Sequence, residues 1–81
     1  MTATNRNFLS DNPAERTAAW ASLLEETNTC IATLHTMFCE LDVDSPRHAA
    51  LVHAYLVVKA DMVNVQDMHR AAVAAEGRSR A

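Results

Sequence analysis

Glycine and proline are nearly missing from this chain of 81 residues, which has one glycine, Gly77, and two prolines, Pro13 and Pro46. Sheet proteins turn often, and tight turns draw on Gly, Pro and Asn. Aromatic residues, which strands favour, number only four. Both shortages disfavour a sheet. Cysteine is also scarce, with Cys30 and Cys39 alone. Nine residues apart on one predicted helix, they are separated by about 13 Å along the axis. A disulfide needs Cα atoms within about 7 Å, so no bridge staples this helix. No apolar run approaches the roughly 18 residues that a membrane span requires. Positive charge is short too, with seven Lys and Arg against ten Asp and Glu and a net charge of −3. Nucleic-acid binding depends on clustered cations that neutralise phosphates. Arg70, Arg78 and Arg80 are too few for such a stripe. Residues 1–7 are polar and lack the apolar core of an export signal. With free thiols, this leads us to expect a cytoplasmic protein without a membrane partner.

What is present favours helix. Hydrophobic residues make up 49% of the chain, carried by Ala, Leu, Val and Met. Two apolar stripes flank a break at Asp42-Val43-Asp44-Ser45-Pro46. The first runs Trp20, Leu24, Thr27, Ile31, Leu34, Phe38, Leu41. The second runs Leu51, Tyr55, Val58, Met62, Val65, His69, Ala72. Steps of alternating three and four keep side chains on one helix face. Asn12 fits an N-cap, Pro13 the first helical position, and Glu15 a capping box; Ser45 and Pro46 repeat the pattern. Gly77 is placed to stop the second helix.

The expected fold is therefore all-α, an antiparallel two-helix hairpin over about 12–41 and 45–76. Residues 1–11 are expected to form a flexible arm, with Phe8 and Leu9 as anchors folding back, and 77–81 a flexible tail. The register pairs Leu41 with His48, Phe38 with Leu51, Leu34 with Tyr55 and Ile31 with Val58. It continues with Thr27 and Met62, Leu24 and Val65, and Trp20 and His69.

The seam leaves apolar residues over. One flank carries Leu23, Cys30 and Met37 beside Ala54 and Met68. The other carries Val52, Leu56, Val57 and Val63, near Ala32, His35 and Cys39. Chains this short are marginal alone and draw support from disulfides, metals or oligomerisation. We therefore expect a homodimer forming a four-helix bundle. One flank would serve self-association and the other an unidentified protein partner, for which the Val52 side is favoured.

Few residues suggest chemistry. His35 and Cys39 lie four apart, a spacing that suits metal ligation, and the register brings His48 near. No nucleophile-base-acid set and no Glu-x-x-His pattern is present. The expectation is a non-enzymatic protein without a resident cofactor. A metal- or redox-linked sensor using His35, Cys39 and His48 is the alternative, followed by an RNA-binding hairpin.

Residues 17–68 show an Ala-rich first helix with Leu23-Leu24, a short acidic turn, then Ala49-Ala50 and Tyr55-Leu56. In this they resemble small uncharacterised helical-hairpin proteins of pseudomonads, a resemblance that implies the hairpin and no activity. The architecture is also similar to repressor-of-primer hairpin dimers, which bind RNA. Here, however, Glu25 and Glu26 stand where a basic face would be expected. Hairpin dimers of this size also serve as bacterial or phage inhibitors that mask a regulator or enzyme. By that analogy of architecture, the expected function is a regulator that covers a partner's surface.

Overall fold

The computed structural model describes residues 7–80, which form two helices and no strand. Helix α1 spans Pro13–Cys39 and helix α2 spans Pro46–Arg80. Asn12 is extended and its side chain accepts the Ala14 N–H at 3.0 Å. The reciprocal half of the capping box is relayed. Ser10 Oγ accepts the Asn12 N–H at 3.0 Å and donates in turn to Glu15 Oε1. Asn7 donates to the same Glu15 oxygen at 3.1 Å, and the Arg16 guanidinium donates to the Ser10 carbonyl. Residues 7–11 are thus tied to the first turn of α1. The remainder of the expected arm, 1–6, lies outside the described residues. Phe8 folds back as expected, meeting the Trp20 ring edge-on at 4.6 Å. Leu9 does not, and stays 95% exposed.

The α1 helix ends at Cys39, with the Glu40 and Leu41 N–H groups donating back to Met37 and Phe38 carbonyls. Ser45 N–H donates to the Asp42 carbonyl at 3.0 Å and so closes the turn. Ser45 Oγ then accepts the Arg47 N–H at 3.2 Å, capping α2 ahead of Pro46. A connection this short forces the helices antiparallel.

Contacts at both ends follow the expected register. Near the turn, the Phe38 ring lies T-shaped against His48 at 5.5 Å and Tyr55 at 5.2 Å. These residues stand three before and four after Leu51, so Phe38 is a knob seated around that position. At the open end Thr17 Oγ1 reaches the Ala72 carbonyl at 3.2 Å. That contact adds a layer to the seam, one step beyond Trp20. Thr27, the polar residue mid-seam, donates its hydroxyl to the Leu23 carbonyl at 2.7 Å. A buried hydroxyl without a partner is costly, and this local bond avoids the cost.

The α2 helix does not stop at Gly77 but continues to Arg80. No glycine takes positive φ, so Gly77 is an ordinary helical residue. Basic residues in the last turn favour this end of the helix dipole, and Arg80 pairs with Glu76 four residues back. Nothing lies within 4 Å of a Cβ added at Gly77. Gly77→Ala should therefore raise helicity and stabilise the fold by up to about 1 kcal/mol. A lowered melting temperature by circular dichroism would contradict a helical Gly77.

The two helices make a layer with extents of 55 × 29 × 15 Å, one helix thick. The radius of gyration is 16.3 Å, against about 12 Å for a compact domain of this length. Each helix is covered by one neighbour only. The stripe residues are all at least partly covered, yet among the described residues only Ala19, Val65 and Ala72 are buried.

Candidate functional site

Side chains that the seam does not cover fall on the two flanks. On the first flank an open cleft is lined by Leu23, Glu26, Cys30, Val58, Asp61 and Val65. Leu23 is half-buried there, while Met37 and Met68 are nearly half exposed and Cys30 is exposed. Two carboxylates, Glu26 and Asp61, border this apolar strip. On the second flank Leu56 is 58% exposed and Val63 56% exposed, with Val57 and Val73 close behind. Val52 is half-buried beside them. Leu24, Gln66, His69, Arg70 and Val73 extend this flank toward the open end. Val73 was not foreseen, although its spacing of ten from Val63 keeps it on that face.

An aromatic cluster stands near the turn. The His35 ring meets Phe38 at 5.1 Å and Tyr55 at 5.9 Å, and Lys59 Nζ lies 5.4 Å over the Tyr55 ring. The Lys59 contact is a cation–π arrangement at a partly exposed site, with a contribution of about 0.5–1 kcal/mol. Sequence spacing could have shown His35 beside Phe38, three residues on. Lys59 stands four residues after Tyr55, a spacing that was also legible, whereas the cross-helix partners His35 and Phe38 required the register.

His35 and Cys39 are in contact, with Sγ 3.7 Å from Nε2 and 3.8 Å from Nδ1, and both side chains are exposed. His48 is half-buried against Phe38. Phe38 touches both imidazoles, so the three residues do not gather around one point. Among the described residues, no group of three or more His, Cys, Asp or Glu side chains is placed to hold a metal. At the open end Trp20 has Phe8 as its ring partner, and His69 is half-buried on the second flank.

The helices carry opposite charge balances. The α1 helix holds Glu15, Glu25 and Glu26 against Arg16. The α2 helix holds Arg47, Lys59, Arg70, Arg78 and Arg80 against Asp61, Asp67 and Glu76. Arg70 pairs with Asp67 at 3.1 Å on an exposed surface, where such pairs contribute little. Among the described residues no helix is long and apolar enough to cross a membrane. No protein family, curated protein or solved structure matches this chain. The fold and its surface therefore define it as a helical hairpin with two apolar flanks.

Proposed function

We propose that this chain is a non-enzymatic, cytoplasmic hairpin that dimerises into a four-helix bundle and regulates another protein by covering part of its surface. The observation that supports this most is the exposure of Leu56, Val57, Val63 and Val73 along α2. Large contiguous apolar patches are uncommon on soluble monomers and mark interaction surfaces. Total accessible surface points the same way. It is 5718 Å², against about 4,800 Å² for a compact monomer of this mass. The excess is similar to the roughly 800 Å² that each partner buries in a standard interface. A dimer consumes one flank and leaves the other for a bacterial or phage host target.

Sedimentation equilibrium of the purified chain at micromolar concentration tests the first half, with twice the 8.9 kDa chain mass as the expected result. A folded, stable monomer would end the dimer reading. Co-purification from the native host, followed by direct binding to the recovered protein, tests the second half. A recovered protein that shows no direct binding would remove the masking role.

A further inference from the structure

We propose that the first flank, bearing Leu23, Cys30, Met37 and Met68, is the self-interface, and that two hairpins pack through it antiparallel, each turn beside the open end of the other copy. This rests on the self-association reading and deepens it, because it names the surface a second copy covers and leaves the second flank for another partner.

The first argument is the angle each flank makes with the seam. Two hairpins form a square four-helix bundle when each helix offers a second contact face about 90° round from its first. At about 100° per residue, Leu23, Cys30 and Met37 lie roughly 50–90° round from the centre of the α1 stripe. Ala54, Asp61 and Met68 lie roughly 50–90° round from the centre of the α2 stripe. Cys30, Met37, Asp61 and Met68 are exposed, and Leu23 and Ala54 are partly covered. Both helices thus offer apolar surface to a second copy on this side. The same sector on the other side carries Asn28 and His35 on α1, with Lys59 and Gln66 on α2. A bundle closed there draws these polar side chains, a lysine among them, toward its centre, where unpaired polar groups are costly. Leu56 and Val63 stand farther round, roughly 130–150° from the stripe, and so lie on the outer face of α2.

The second argument is two-fold symmetry. Leu23 and Met37 are each seven residues from Cys30. Ala50 and Met68 are each nine from position 59, which the register sets level with Cys30. An axis perpendicular to the bundle at that level sets Leu23 against Met37 of the other copy, Met68 against its Ala50, and Cys30 against Cys30. A two-fold interface needs this self-complementarity. The same axis carries the acidic turn, with Glu40, Asp42 and Asp44, to the opposite end from its equivalent. An axis along the bundle would set the two turns side by side, and like charges facing each other are unfavourable. Asp61 is the charged residue within the contact sector. The Asp61 residues of the two copies lie about 6 Å apart along the bundle, so their repulsion opposes association.

The test oxidises the purified full-length chain with diamide and reads its mass by non-reducing electrophoresis. Two Cys30 thiols join as one disulfide, and their two protons and two electrons reduce the diamide N=N bond to a hydrazine. Helix axes about 8–10 Å apart bring facing Cα atoms within the roughly 7 Å that a disulfide allows. The expected result is a covalent dimer that Cys39→Ser still forms and Cys30→Ser does not. A crosslink that Cys39→Ser loses and Cys30→Ser keeps overturns the placement. Sedimentation of the reduced protein gives a second reading, with circular dichroism checking that the helices persist. Met37→Glu should weaken association about tenfold or more, because a charge must be desolvated. Asp61→Asn should strengthen it about tenfold or more, by removing a like-charge contact. Leu56→Glu should leave it unchanged. The rival placement, through the second flank, makes Leu56→Glu the disruptive change. A dimer that Leu56→Glu dissociates and Met37→Glu does not therefore overturns this proposal while self-association stands. A folded monomer at every concentration refutes both.

Discussion

With the second flank as the self-interface, Leu56→Glu is expected to dissociate the dimer and leave the hairpin folded. Leu56 is 58% exposed in the single chain, so a carboxylate there meets water and the intrachain seam does not change. In the dimer the same carboxylate would sit within the apolar interface, unpaired and desolvated, at a cost of several kcal/mol. Hot-spot positions, which cluster near the centre of an interface, lose about 2 kcal/mol or more on truncation, which is roughly a 30-fold weaker association. Sedimentation of the variant, beside its circular dichroism spectrum, reads the effect. If the dimer survives but partner binding is lost, the second flank is the partner surface. Self-association then moves to Leu23, Cys30, Met37 and Met68. If neither changes, the two-flank description is wrong.

Ile31→Ala and Leu34→Ala should each destabilise the hairpin by about 2 kcal/mol, the low end for large-to-small changes at covered sites. Both residues lie mid-seam, opposite Val58 and Tyr55 in the register, and both are half-buried in one chain. Each truncation removes apolar contact that the other helix provides and leaves a gap that two rigid helices close only in part. Urea unfolding at several protein concentrations measures the cost. Values near 4–5 kcal/mol would indicate that a second copy deepens the burial of the seam. Values under about 0.5 kcal/mol at both sites would refute the register.

Parts of the molecule that depend on neighbours in sequence were legible without coordinates. Asn12, Pro13, Ser45 and Pro46 mark helix starts because capping is a matter of a few adjacent residues. The stripes give the register because three-and-four spacing holds over seven layers, and the Thr17 contact with Ala72 and the position of Phe38 agree with it. Gly77 misled because the left-handed stop it permits is an option that glycine has and need not use. The Val52 flank was visible as surplus apolar residues, but its exposure could be known only once one neighbour, and no more, covered each helix.

The sequence by itself determined two helices, their facing stripes and the shortage of cations, since each follows from local spacing or composition. Tertiary structure decided the rest. Phe8 reaches Trp20 across twelve residues, and Ser10 relays the cap between Asn12 and Glu15. Phe38 stands against both His35 and His48, so the two imidazoles have an aromatic ring as a shared neighbour where the spacing suggested a common ligand set. His35 and Cys39 remain in contact on the open face of α1. Such outcomes depend on side-chain direction and on which element covers which face, and helical periodicity specifies a face without specifying its occupant.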